Sequence, residues 1–241
     1  MSFPNKNTMN FEPGGIYHIY NQGNNRQVIF YNRENYLFFL RKIRNHIQPY
    51  GNILAWCLMP NHFHLMMEEE AVAVHVPSDE VTQSQTAASN SQGAIISQGA
   101  IISWDAVISR GAASSRAPTN TGISLNHSIG ILLASYTRAI NIQENTTGSL
   151  FRQKTKAICL NPINGISSNW YSSFGSTFIN VYIQEKQYPQ VCFNYIHNNP
   201  VKAGLVKTPE EWAFSSYADL KAMRNGNLVN QDRINELGLI L

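Results

Sequence analysis

His62 and His64 stand two residues apart, with Phe63 between them, in the run Pro60-Asn61-His62-Phe63-His64-Leu65. In an extended strand, residues i and i+2 point to the same face, so both imidazoles look into one space. Two imidazoles on one face make half of a divalent-metal site, while Phe63 anchors the strand from its other side. Buried rings need hydrogen-bonding or metal partners. Ordinary strand histidines, packed without a ligand, are the plainer reading of the same spacing. The pair alone selects neither a metal nor a reaction.

The elements that must position the pair can be read around it. Ile16-Tyr17-His18-Ile19-Tyr20 is β-branched and aromatic, a strand that ends in the turn-forming Asn21-Gln22-Gly23-Asn24-Asn25. Asn32 can cap a helix with Asn35 three residues on and Tyr36, Phe39, Leu40 and Ile43 at helical spacing. Pro49-Tyr50-Gly51-Asn52 stops it. Ile53–Leu58 and His62–Met67 then read as two strands of an antiparallel hairpin joined by Met59-Pro60-Asn61. From Ser124, the residues Ile129, Leu132, Leu133, Tyr136 and Ile140 form one stripe of an amphipathic helix, which Asn145-Thr146-Thr147-Gly148 ends. The basic stretch Phe151–Lys156 leads into Ala157–Leu160, a candidate fourth strand. Pro162–Gly175 reads as a loop-rich insertion. A helix over Val191–His197 meets Asn198-Asn199-Pro200, which reads as a helix stop ordering the C-terminal segment. The order β-α-β-β-α-β predicts an α+β, ferredoxin-like split palm, with an antiparallel sheet, helices on one face and a C-terminal helical extension.

Composition sets the frame. The chain has 241 residues, 43% hydrophobic and 11% aromatic, ample for a packed core. No apolar run approaches the roughly 20 residues of a membrane span, and no charged-then-apolar leader opens the chain. A soluble, unprocessed, cytoplasmic protein is expected. Cys57, Cys159 and Cys192 lie far apart without a Cys-x-x-Cys, so neither a zinc knuckle nor a disulfide framework is indicated. Residues 71–120 differ from the rest. They are rich in Ser, Ala, Gln and Gly and contain Ser91-Gln-Gly-Ala-Ile-Ile96 repeated as Ser97–Ile102. We read them as a flexible, low-complexity insertion in one domain formed by 9–70 and 121–225. Residues 68–120 hold two bases and six acids, so the remainder carries a balance of +7, which allows a phosphate-rich partner.

Five pieces resemble a known family when taken in order. They are Tyr17-His18-Ile19-Tyr20-Asn21, Met59-Pro60-Asn61-His62-Phe63-His64, Ser135-Tyr136-Thr137, Gly148-Ser149-Leu150-Phe151 and Tyr195-Ile196-His197-Asn198-Asn199-Pro200-Val201-Lys202-Ala203-Gly204-Leu205. Together they resemble the HUH single-tyrosine transposases, in the branch of REP-associated tyrosine transposases, over about residues 9–70 and 124–220. The resemblance implies a ferredoxin-like palm that cleaves and rejoins single-stranded DNA at hairpin-forming repeats through a 5′-phosphotyrosine. It implies Mg²⁺ or Mn²⁺ on His62 and His64, and a helix tyrosine as nucleophile.

Tyr136 is the nucleophile this reading selects, because its apolar stripe faces the sheet that carries the histidines. In related transposases a polar side chain one turn after the tyrosine completes the site. Here that place is Ile140, which cannot bind a metal. Asn141, beside it, matches an asparagine common in this branch and is the third ligand the resemblance implies, with Gln143, water or substrate as alternatives. Arg26, Arg138, Arg152, Lys154 and Lys156 are candidates for DNA phosphates, and His18 for core or for support of the pair. The expected partner is single-stranded or hairpin DNA, with the protein a monomer or homodimer and no membrane involved. Two rival readings remain, a catalytically silent DNA-binding protein and a metal-dependent phosphodiesterase that uses water.

Overall fold

The structure, a computed structural model, describes residues 11–70, 123–161, 170–173, 176–179 and 188–241. The stretch 71–120, with its hexapeptide repeat, lies outside the described residues, as does most of the loop expected after Pro162.

Strand β1 (Ile16–Gln22) is followed by helix α1 (Arg33–His46), β2 (Gly51–Met59), β3 (His62–Glu69), α2 (Leu125–Gln143) and β4 (Lys156–Cys159). Asn32 caps α1 through a reciprocal pair. The Asn35 amide donates to Asn32 Oδ1, and the Asn32 amide donates to Asn35 Oδ1. Ser124 caps α2 by accepting from the His127 amide. The four strands pair antiparallel in the order β2-β3-β1-β4. A bulge at Ile53/Ala55 resets β2 against β3. Trp170–Ser173 (β5) and Ser176–Ile179 (β6) form a separate two-stranded pair, so part of the expected loop-rich stretch is a hairpin.

Register decides what each face carries. Tyr20 pairs with His64 and Gln22 with His62, while Cys57 and Met59 oppose the same histidines from β2. These residues therefore share one face with Ile16, His18 and Met66. Tyr17, Ile19, Trp56, Leu58, Phe63 and Leu65 form the other. That second face is covered by α1 and α2, whose Phe39 and Tyr136 meet ring against ring at 4.9 Å, with Phe39 5.0 Å from Phe63.

The histidine face is covered by α3 (Tyr188–Lys202), which buries Tyr188, Cys192, Phe193 and Ile196 against Ile16, Met59 and Met66. Asn198-Asn199-Pro200 does not stop this helix. Pro200 is accommodated inside it, and the helix ends two residues later. There the Leu205 amide donates to Pro200 O and the Gly204 amide to Val201 O, with Gly204 at φ +70. That is a Schellman cap on a glycine able to adopt the left-handed region.

Residues past 225, outside the bounds expected from sequence, complete the same core. Helix α4 (Tyr217–Leu220) is followed by α5 (Gln231–Glu236), whose Ile234 is buried with Leu239 beside Met66. Arg233 donates from Nε and Nη2 to the two carboxylate oxygens of the buried Glu68, both at 2.7 Å. Residues 214–216 run along β2, with the Leu58 amide donating to Phe214 O and the Ser216 amide to Trp56 O. That edge is thereby paired. Both flanks of the 71–122 stretch touch Tyr50. Its carbonyl accepts from the Glu70 amide at 3.0 Å, and its hydroxyl donates to Ile123 O at 2.9 Å. Among the described residues no helix is long and apolar enough to cross a membrane.

Candidate functional site

The period-two pleat of β3 puts His62 and His64 side by side, ring centroids 5.0 Å apart and nearly perpendicular. His64 is buried and His62 half-buried. Above them, α3 contributes two side chains one turn apart, Tyr195 and Asn199. The Tyr195 ring meets His64 edge-on at 5.3 Å. Asn199 reaches both imidazoles, its Nδ2 donating to His64 Nε2 at 3.1 Å and its Oδ1 lying 3.3 Å from His62 Nε2. On the far side His64 Nδ1 lies 2.9 Å from His18 Nε2, and His62 Nδ1 lies 2.6 Å from Asn61 Oδ1.

Burial pushes the pKa of all three histidines down. His18 falls to about 3, and His64 is lowered further by its two histidine neighbours. Neutral imidazoles carry the lone pairs that a metal needs. Burial raises the Tyr195 phenol, and the Asn199 side chain pulls it the other way.

A cavity of about 260 Å³ opens here, lined by His62, His64, Tyr195, Arg152, Lys154 and Lys156 among others. The turn that presents the cations is tied to β1. Asn21 Nδ2 donates to Arg152 O and to Thr155 Oγ1, and the Arg152 amide donates to Gln22 O. Lys156 Nζ lies 5.9 Å from the centre of the Tyr20 ring. A larger cavity, of about 1260 Å³, runs along α2 past Arg138 and shares Arg152 and Lys154 with the first.

No family model and no curated protein matches this chain. It is similar in outline to one solved structure, a REP-associated tyrosine transposase bound to a REP hairpin. The likeness covers 95% of this chain and 94% of that chain, at 15% sequence identity and a TM-score of 0.43. No chemistry is carried over from it.

The residues selected from sequence separate into two groups. His62, His64, Arg152, Lys154 and Lys156 come together. Tyr136 does not join them. It is fully buried on the opposite face, its hydroxyl donating to Ile29 O at 2.7 Å and its ring packed against Phe39 and Phe38. Burial there drives its pKa strongly up. The expectation that packing and catalytic positions coincide fails because β3 turns Phe63 toward α2 and the histidines away from it.

Asn141 and Gln143 are equally remote from the pair. Asn141 closes the end of α2, its Nδ2 donating to Gly148 O and its Oδ1 accepting from Thr146. Gln143 pairs with Asn35. Arg26, exposed at φ +61, accepts from Asn61 Nδ2 through its carbonyl and does not line the cavity with the histidines. Among the described residues no group of three His, Cys, Asp or Glu could hold a metal. Beside the two imidazoles, the Asn199 carboxamide contacts both rings. This donor set, two imidazole nitrogens and one amide oxygen, fits a divalent cation that accepts mixed nitrogen and oxygen ligands.

Proposed function

We propose that this chain is an HUH-type nuclease and strand-transferase on a ferredoxin-like palm, cleaving and rejoining single-stranded DNA in transposition. In this reading Tyr195 is the nucleophile, and Asn199 joins His62 and His64 in holding Mg²⁺ or Mn²⁺. The observation that carries it is the pair at i and i+4 on α3: Tyr195, against His64 in a cavity rimmed by three cations, and Asn199, in contact with both histidines. A polar side chain one turn after the tyrosine is what the resemblance asks for. Tyr136 and Ile140 cannot supply it.

Arg152, Lys154 and Lys156 draw the phosphodiester backbone into the cavity and set its register. A divalent cation held by the two imidazoles and the amide would neutralise charge on the phosphate. The Tyr195 oxygen attacks phosphorus as its proton leaves, and the bond to the 3′ oxygen breaks. That oxygen takes up a proton to give a free 3′-OH, and the 5′-phosphate remains on Tyr195. The number of phosphoester bonds is unchanged, so attack by another 3′-OH reverses the step without ATP. Histidines and tyrosine come from one chain, so a monomer suffices. The reading places the protein in the cytoplasm with DNA as its partner.

The test incubates full-length protein with Mn²⁺ or Mg²⁺ and a 5′- and 3′-labelled DNA hairpin taken from beside its own gene. A covalent adduct on a denaturing gel, mapped by mass spectrometry to the peptide with Tyr195, is the expected result. Cleavage surviving Tyr195→Phe without an adduct would favour the phosphodiesterase reading, and binding without cleavage the silent DNA-binding one.

A further inference from the structure

We propose that His18 is a positioning residue for the reaction proposed above, fixing His64 in the tautomer that presents its Nε2 lone pair to the site. His18 lies in the middle of β1, paired with Met66 on one side and Ile158 on the other. It is buried, and its ring is stacked 4.8 Å from Tyr20 and 5.1 Å from His64. Tyr195 closes over it edge-on at 6.1 Å. Rings on three sides fix the plane in which His18 meets its neighbour.

The hydrogen bonds then order themselves from the site inward. Asn199 Nδ2 donates to His64 Nε2, so that nitrogen carries no proton. The His64 proton is therefore on Nδ1, and it donates across 2.9 Å to His18 Nε2. A histidine that offers one nitrogen to a ligand needs its other N–H held by an acceptor, which sets both tautomer and ring angle. Carboxylates and carbonyls commonly fill that role. A carboxylate here would add negative charge behind His64, and a neutral imidazole fixes the tautomer without it. His18 touches neither substrate nor metal in this arrangement. It acts through His64.

The inference rests on the nuclease reading for its purpose but not for its test. Full-length protein labelled with ¹⁵N-histidine, free of metal and DNA, is examined by long-range ¹H–¹⁵N correlation. His64 is expected with its proton on Nδ1. Finding that proton on Nε2 overturns the proposal, whatever the protein does to DNA. His18→Gln keeps an acceptor oxygen on β1 and should hold the tautomer, with Mn²⁺ affinity within about threefold of wild type. His18→Leu removes the acceptor and should lower Mn²⁺ affinity about 10- to 100-fold, with circular dichroism confirming that the variant folds. Wild-type Mn²⁺ affinity in a folded leucine variant also overturns it. If neither variant folds, the wild-type spectrum decides alone. An Nδ1–H His64 in a protein that forms no DNA adduct would count against the nuclease and not against His18.

Discussion

Tyr195 presents its ring edge-on to His64, the two planes at 81° and their centres 5.3 Å apart. One turn along α3, Asn199 meets the Nε2 atoms of both histidines. A helix that merely covered a sheet face would bury apolar side chains at these two positions, as it does at Cys192 and Ile196.

The two tyrosines should separate cleanly. Tyr136→Phe deletes the donor to Ile29 O and leaves a buried carbonyl unpaired, a cost of about 1–3 kcal/mol. The urea midpoint should fall accordingly, while the DNA adduct forms as before. Tyr195→Phe should move the midpoint by less than about 1 kcal/mol and abolish the adduct. An adduct that vanishes only with Tyr136→Phe would reverse the assignment.

Asn199→Ala should cost Mn²⁺ affinity in isothermal titration, because the amide that contacts both imidazoles is removed. The expected loss is at least about tenfold, whereas Asn141→Ala should leave affinity unchanged. Equal effects would place the third donor elsewhere.

DNA affinity should fall steeply with salt and favour single strands or hairpin tips over plain duplex. Lys154→Ala with Lys156→Ala should flatten the slope of log K against log salt by about 1.4, at about 0.7 per single-strand phosphate contact. Arg26→Ala, at a residue that does not line the cavity, should not change it. A duplex preference would contradict the path drawn here.

Ending the chain at Asn225 should leave it unfolded or insoluble, since Ile234 and Leu239 leave the core and Glu68 loses Arg233. Arg233→Ala alone should lower stability by about 1–3 kcal/mol in urea.

Acid should weaken the metal-free protein through His197, whose Nε2 lies 2.8 Å from the buried Ser216 hydroxyl. Burial lowers its pKa to about 4, below the usual 6.5. Between those values the unfolded chain binds the proton and the folded one does not. Stability is therefore whole above pH 6.5 and declines as pH falls toward 4, by up to about 3 kcal/mol. His197→Gln should remove its share of the decline in a thermal-melting series and leave the share of His18, His62 and His64, which burial also lowers.

Much of this is legible in the sequence. The reciprocal cap of Asn32 and Asn35, the hairpin through Met59-Pro60-Asn61 and the fourth strand after Lys156 follow from local chemistry, and local chemistry survives into the fold. The nucleophile did not follow, because an apolar stripe says that a helix faces the sheet but not which side. The deciding signal was present in β3. Phe63, Leu65 and Met67 make an apolar side suited to the Leu132–Tyr136 stripe, so the histidines had to look the other way. The length of α3 was hidden by Pro200, which usually ends a helix yet here sits one turn before a glycine cap. That concealed the i, i+4 pair of Tyr195 and Asn199.

Tyr50 clasps the chain on both sides of the 71–122 stretch, by its carbonyl at Glu70 and its hydroxyl at Ile123. One residue thus serves as the stem of a port. Closing a longer chain across such a stem costs only about 0.6 kcal/mol for each doubling of its length. The chain thus leaves the fold at Glu70 and re-enters it at Ile123 through contacts with one residue. The fold offers evolution, or an engineer with a reporter domain to splice in, a place to change the protein's size while its chemistry stays put.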